Sequence, residues 1–396
     1  MNDSPSTHAR RDRIVLSIGA GVLLLLLVQT IEKAYRPQGY DFTSYLLATK
    51  AFWHGENPYL TLTSFPFIYP LVVCVLLYPI AMLPYAASIV LWFALSVAAL
   101  AYTFYLLLGK QPLVLLNGVL SSLLLIGVLQ NNLLNGQINL IVLALTAGFF
   151  AGLRRGATTR ATMLLTLAIA IKLTPAIFIV YLLVRRAWGA LALTLVFLAA
   201  LFAVPILVSG GIAWNWYAWY ATHFLFSQTS NPGFDAHWFS LTAWAASIAS
   251  TPEARLIGMA VIVALVVTVV VWFQMRFRDV KSQPVSPAVF ALYLLASLLL
   301  SPISEPHHLA FAIPAVSLLI GKLNLADGNS LSATWNVIKR NSHLRMRWAS
   351  LITAALLILF ARSVPGGSLC AVMVLLFSVG FSDERRLSDR ESLPVT

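Results

Sequence analysis

The chain has 14 acidic side chains against 26 lysines and arginines, few enough for each acid to be weighed separately. No Asp-x-Asp pair occurs, so the paired carboxylates that hold Mg²⁺ on a nucleotide diphosphate are not on offer. Asp41 opens the stretch Tyr40-Asp-Phe-Thr-Ser-Tyr-Leu-Leu-Ala-Thr-Lys-Ala-Phe-Trp-His-Gly. In it Phe42, Tyr45, Leu46, Thr49, Phe52 and Trp53 share one helical face, with Gly55 and Pro58 to end it. The spacing predicts a short amphipathic helix in the outer membrane interface with Asp41 at its N-terminus. An aspartate there is an ordinary N-cap or a general base, and the two roles are compatible because backbone donors hold the carboxylate ionised.

Lys172 interrupts Met163-Leu-Leu-Thr-Leu-Ala-Ile-Ala-Ile and Ala176-Ile-Phe-Ile-Val-Tyr-Leu-Leu. A lysine at mid-bilayer costs about 2.5–3.5 kcal/mol, so something must compensate. Thr174 followed by Pro175 has the form of a cap with proline at the first helical position, which predicts two half-helices meeting at Lys172. A cation beside a half-helix N-terminus suits a lipid phosphate; a lysine snorkelling from a plain kink is the alternative. Glu305-Pro-His307-His308 follows Ser301-Pro-Ile-Ser304 at the end of another apolar run. Without more Cys and His nearby no metal site is indicated, which leaves contacts to phosphate or sugar hydroxyls, or loop capping. Asn135-Gly-Gln137-Ile-Asn139 sets three amides at one helix end, which a turn and a cap also explain. Asp235 is the remaining outer-loop acid with a possible substrate contact.

The elements that must position these residues are helices in lipid. The composition is 59% hydrophobic and 10% charged, too little polar surface for a water-soluble globule. Twelve apolar runs, from 14–30 to 367–381, are too long for barrel strands, so the fold class is all-α and polytopic, with about 10–12 transmembrane or re-entrant helices. Three runs lie between the outer loop at 31–65 and the outer turn at 130–137, where an even number of crossings is required. Either 66–83, punctuated by proline, or 113–129, interrupted by Gly118, must therefore be broken or re-entrant.

The formal charge of +12 does not indicate nucleic acid, because the basic residues sit in short turns. With the N-terminus cytoplasmic, Arg10, Arg11 and Arg13, Arg154 and Arg155, Arg185 and Arg186, Arg276 and Arg278, and Arg385 and Arg386 all fall inside. The expected organisation is a cytoplasmic tail at 1–13, a membrane domain at 14–381 with outer loops at 31–65 and 209–250, and a cytoplasmic tail at 382–396. The first apolar run resembles a signal peptide but lacks a small-x-small cleavage site, and reads as an uncleaved helix. Cys74 and Cys370 lie in apolar runs, so no disulfide framework is expected. Trp214, Trp216, Tyr217, Trp219, Tyr220, Trp238 and Trp244 form either an interfacial belt or stacking platforms for sugars.

Taken together these segments resemble glycosyltransferase family 87, the polyprenyl-phosphate-mannose-dependent mannosyltransferases of the GT-C superfamily. The resemblance rests on Asp41 through Tyr59, Phe67-Ile-Tyr-Pro70, Gly136-Gln-Ile-Asn139 with Arg154-Arg155, Ala170-Ile-Lys-Leu-Thr-Pro175 with Arg185-Arg186, and Ser301-Pro-Ile-Ser-x-x-His-His308. Where the family carries an aromatic residue and an acid before the histidines, this chain has Glu305 and Pro306. The resemblance implies an inverting transfer of mannose from a polyprenyl phosphate to a glycolipid or glycan acceptor at the extracytoplasmic face, without a cofactor. It makes Asp41 the general base and gives the phosphate to Lys172, His307 and His308. A lipid-sugar flippase or ion-coupled transporter would also carry many apolar runs, but would need ionisable residues within several of them, and apart from Lys172 there are almost none.

Overall fold

The computed structural model describes residues 5–36, 39–109, 114–225, 240–280, 284–301, 304–321, 342–359 and 367–381, and every regular element among them is helical. Among the described residues four helices are long and apolar enough to cross a bilayer: α1 (Pro5–Ala34, its apolar part Ser17–Ala34), and three more. These are the 24-residue Tyr85–Leu108, the 22-residue Trp188–Ser209 and the 25-residue Pro252–Arg276. Side chains such as Leu24, Leu25, Val196, Leu207, Leu256 and Ile257 point away from the protein, as helices solvated by lipid require.

Between α1 and the second long helix lie α2 (Asp41–Trp53) and two short pieces, α3 (Val72–Leu76) and α4 (Tyr78–Ala81); the long helix Tyr85–Leu108 is α5. Helices of five and four residues are far shorter than the roughly 20 needed to span, so the run at 66–83 is broken, with Pro79 at the start of the second piece. The run at 113–129 is broken as well: α6 (Val114–Leu124) and α7 (Ile126–Asn135) meet at Leu125 with a 78° bend. One irregular segment was required there, and two are found. The first helix also begins at Pro5, inside the stretch read as a tail.

The middle of the molecule is made by α8 (Asn139–Arg154), α9 (Thr158–Ile171), α10 (Ile177–Val184), the long helix α11 (Trp188–Ser209) and α12 (Ile212–Tyr220). Gly148 and Gly152 bring α8 against α9; a Cβ on Gly152 would stand 2.9 Å from that of Ala161. In lipid such close approach of backbones replaces the hydrophobic drive that water supplies. After α13 (Leu241–Ile248) and the long α14 (Pro252–Arg276), α15 (Pro287–Leu300) runs through the centre with residues 288–299 all buried. Phe150 and Phe178 stack on its Phe290, at 4.6 and 5.5 Å between ring centroids. A 3₁₀ segment, Pro306–Ala312, leads into α16 (Ile313–Gly321), and α17 (Ser342–Leu359) and α18 (Gly367–Gly380) complete the bundle.

Candidate active site

Helix α2 begins where the sequence predicts, one residue out of register with the cap. Tyr40 is extended (φ −152°, ψ 177°) and holds the cap position, so Asp41 is the first helical residue rather than the cap. The Tyr40 N–H donates to Thr43 Oγ1 at 3.4 Å. Nor is the helix amphipathic in the expected way: Ser44, Ala48 and Ala51 are buried along with Phe42, Tyr45, Leu46, Thr49 and Phe52, while Trp53 is exposed. It is a packed element, and Trp216 of α12 closes over Phe52. Tyr59, at the end of the Gly-Glu-Asn-Pro-Tyr stretch, stacks with Trp219 and with Tyr220 and donates its hydroxyl to the Tyr69 carbonyl at 3.0 Å. Three of the outer aromatics are thus spent on packing, and Trp214 stays exposed. Trp238 and Asp235 lie outside the described residues.

The turn between α7 and α8 carries the amides. Gly136 is left-handed (φ +63°), and a Cβ there would lie 2.6 Å from Phe42 Cβ and 2.8 Å from Tyr40 Cε2, so only glycine lets the turn touch α2. Trp92 stacks on Phe42 at 4.7 Å and donates to the Gly136 carbonyl at 2.8 Å. So placed, Gln137 accepts from the Tyr45 hydroxyl at 3.4 Å and its amide lies close enough to Asp41 to favour the ionised carboxylate. Asn139 accepts from Lys172 Nζ at 2.7 Å. Its own amide N–H reaches Asn132 Oδ1 at 3.1 Å and the His307 carbonyl at 3.5 Å. Asn135 does not join them; it accepts from Lys33 and donates to Asn131.

The break at Lys172 is present: α9 ends at Ile171 and Lys172 is extended (φ −146°, ψ 128°). Thr174 is not its cap. The 3₁₀ segment Thr174–Ala176 starts after Leu173, and the Thr174 hydroxyl is buried with no hydrogen-bond partner. Lys172 Nζ lies 5.9 Å from the centre of the Tyr69 ring, whose hydroxyl is 2.9 Å from that of Tyr45. Among the described residues no carboxylate forms an ion pair with Lys172, although Asp41 and Glu305 both lie within its electrostatic reach.

Glu305 precedes the 3₁₀ segment that carries the histidines, and its N–H donates to His308 Nδ1 at 2.9 Å. That bond leaves the His308 proton on Nε2, a donor. His307 Nδ1 lies 3.4 Å from Glu305 Oε2, and the His307 carbonyl is held by Asn132 at 2.7 Å. Asp41 therefore faces a second carboxylate. Burial first and Glu305 second push its carboxyl up to about 6, against the Gln137 amide and the charge of Lys33.

One site thus gathers Asp41, Gln137, Asn139, Lys172, Glu305, His307 and His308. Sequence reasoning missed Tyr45, Tyr69 and Asn132. Tyr45 lies one helical turn after Asp41, a signal that could have been used, whereas Tyr69 and Asn132 enter through contacts between distant segments.

No curated protein matches the chain. Two solved structures of ArnT from Cupriavidus metallidurans are similar. The one bound to undecaprenyl phosphate shares 15% identity over 92% of this chain and 76% of that one, with a TM-score of 0.46. The apo form shares 13% identity over 94% and 76%, with a TM-score of 0.40. The sequence profile of glycosyltransferase family 87 matches residues 67–302, from the segment holding Tyr69 through the Lys172 break to the start of the Glu305 loop. On that match, covering more than half of its length, the chain belongs to glycosyltransferase family 87.

Proposed function

We propose that the protein transfers a hexose, mannose on the family resemblance, from a polyprenyl phosphate to a hydroxyl of a glycolipid or glycan, with inversion and at the extracytoplasmic face. The observation that carries this reading is the state of Lys172: a partly buried ammonium bonded to a neutral amide, with two carboxylates nearby and neither paired to it. Such a cation is stabilised when an anion of suitable size arrives, and a phosphate monoester supplies one. The His308 Nε2–H and the unpartnered Thr174 hydroxyl are further donors for it.

In the reaction, the acceptor oxygen attacks the anomeric carbon as the bond to the phosphate oxygen breaks. The bonding pair leaves with the phosphate, where Lys172 meets the growing charge. The acceptor proton passes to Asp41, beside Gln137 and raised towards neutrality so that it accepts protons more readily than a solvated aspartate does. Attack from the face opposite the phosphate gives inversion. The outer sidedness is supported by the basic turns at Arg154, Arg185 and Arg276, which the excess of basic residues in cytoplasmic turns assigns to the other side.

The test is incubation of the purified protein with radiolabelled polyprenyl-phosphate-mannose and membrane lipid extract. The expected result is label in an α-linked product. Intact donor after many hours, or a β-linked product, overturns the reading. Cysteine labelling tests sidedness: residues 41 and 154 are expected on opposite faces, and reactivity from one face alone removes the topology.

A further inference from the structure

Helices α10 and α14 end alike, and glycine stands at neither end. After α10, Arg186 is left-handed (φ +56°), with its N–H on the Leu183 carbonyl and the Ala187 N–H on that of Leu182. After α14, Arg278 is left-handed (φ +53°), with its N–H on the Met275 carbonyl and the Asp279 N–H on that of Gln274. A helix closing in this way takes glycine most readily, because a Cβ is crowded in the left-handed region. Both arginines therefore stand where the backbone alone favours another residue. The two turns are neighbours, since Arg185 and Asp279, one residue from each, are bonded to each other. Arg186 and Arg278 take no part in that pair: both are exposed, and neither forms an ion pair with a described residue. Arg276 is exposed as well, its guanidinium 5.7 Å from the centre of the Trp272 ring and 5.8 Å from that of Phe381.

Among the described residues from α8 to α15 the acids are Glu253, at the opposite end of α14, and Asp279, fully enclosed and already bound. The exposed guanidiniums at this face thus meet no described carboxylate. Two tryptophans fix their depth. Trp188 opens the spanning helix α11 two residues after Arg186 and is 58% exposed, and Trp272 lies near the end of the spanning helix α14 and is 50% exposed. Exposed tryptophans at the ends of spanning helices sit among lipid headgroups. The eight residues of α10, about 12 Å, separate these turns from the break at Lys172, so this is not where the donor phosphate is met. We propose that the paired turns at Arg186 and Arg278 bind the headgroup of an anionic phospholipid, with its acyl chains against the spanning helices that carry Trp188 and Trp272. Guanidiniums match a phosphate in charge and in the fork of their donors. A zwitterionic lipid brings its own cation and leaves the charge of the turns unmet, and free phosphate lacks the chains that hold a lipid at this depth. The proposal goes beyond the transfer reaction and is measured without turnover.

The experiment titrates delipidated full-length protein in a neutral detergent with phosphatidylglycerol, phosphatidylcholine or inorganic phosphate. Bound lipid is followed by native mass spectrometry, and thermal unfolding checks that each variant is folded. Wild type is expected to prefer phosphatidylglycerol to both other probes. Arg186→Asn with Arg278→Asn removes both charges and keeps a residue that tolerates the left-handed backbone, so binding should weaken about ten- to thirtyfold in a folded protein. Arg186→Lys with Arg278→Lys keeps the charge and should stay within about threefold of wild type. Arg155→Gln with Arg160→Gln removes the same charge from exposed positions at the α8–α9 turn and should also change binding by less than about threefold. Equal phosphatidylglycerol binding by wild type and the folded Asn variant overturns the site. An equal loss in the Arg155 and Arg160 variant replaces it by general surface charge, and inorganic phosphate bound as tightly as the lipid removes the lipid from it. Where the double Asn variant does not fold, each single Asn variant should weaken binding about three- to fivefold, and no weakening in either overturns the proposal.

Discussion

The protein buries charge in two places and treats it differently in each. At Asp279, the carboxylate is fully enclosed and receives the Arg185 guanidinium, the Tyr181 hydroxyl at 3.2 Å and the Ser286 N–H at 2.9 Å. Gln274 caps the same turn by donating to the Asp279 carbonyl at 3.0 Å, and is itself held by Tyr293 at 2.6 Å. At Lys172 the ammonium has an amide, a ring face and two carboxylates that are near but not bonded to it. The first cluster is closed and ties α10 to the link between α14 and α15. The second is open, and its charges become complementary only when something joins them. A buried ion pair with all its hydrogen bonds made is an anchor; partly buried charges of opposite sign that stand close without pairing with one another are suited to receive a ligand.

The largest effect expected on this contrast is catalytic. Asp41→Asn keeps the shape of the side chain and removes the base, so turnover should fall about 10²- to 10⁴-fold with the fold intact. An active, stable Asn variant would transfer the role to Glu305, whose Gln variant should otherwise cost much less. Next comes the closed cluster. Asp279→Ala leaves Arg185 enclosed without its carboxylate and should cost about 3–5 kcal/mol in unfolding free energy. Replacing both partners by apolar residues, Arg185→Met with Asp279→Leu, should recover most of that loss. A single variant as stable as wild type would show that the anchor carries no load.

Lys172→Met should do the opposite of Asp279→Ala. It removes a desolvated charge that lacks an ion pair, so thermal stability should hold or rise, while the donor KM rises about ten- to a hundredfold through a lost charge-assisted bond. Unfolding of the Met variant would put Lys172 in the structural class with Asp279.

The smallest effect is a pH trend with two signs. The Asp41 carboxyl sits at about 6 in the folded protein against about 3.8 unfolded, so its ionisation opposes folding. Its contribution to stability is whole below about pH 3.8 and fades as pH rises through about 6, whereas activity needs the ionised form and grows over the same window. Lowering the pH from 7 to 5 should therefore slow transfer and, for this group, raise the melting temperature, and Asp41→Asn should flatten both trends. Parallel losses of activity and stability in the wild type that persist in the Asn variant would assign the pH response to other groups.

Much of this was legible in the sequence, for local reasons. The start of α2 at Asp41, its end before Gly55 and the break at Lys172 follow from turn residues and from the cost of a charge in an apolar run. Asn135 and Asn139 look equivalent at a spacing of four. Gly136 lies between them in the left-handed region and ends one helix before the next begins, so the two amides serve different partners. Asp279 gave no signal: it reads as a solvated residue in a basic turn, and its partner Arg185 is 94 residues away. Tyr69 and Asn132 were hidden for the same reason, because their roles exist only once α7, α9 and the Glu305 segment have converged.

The interruption at Lys172 also has a consequence for isotope exchange. A continuous helix in an apolar bundle protects its amides for as long as the bundle stays closed. Here the regular ladder stops with Lys172 N–H on the Ala168 carbonyl, and resumes only when Ala176 N–H reaches Leu173. Pro175 has no N–H to offer. Leu173 N–H and Thr174 N–H, with no backbone acceptor among the described residues, are two amides inside the helical bundle that should exchange early in the unliganded protein. An anion held at Lys172 would give those amides an acceptor, so occupancy of the site can be followed by deuterium retention at one peptide while the buried α15 provides the slow reference.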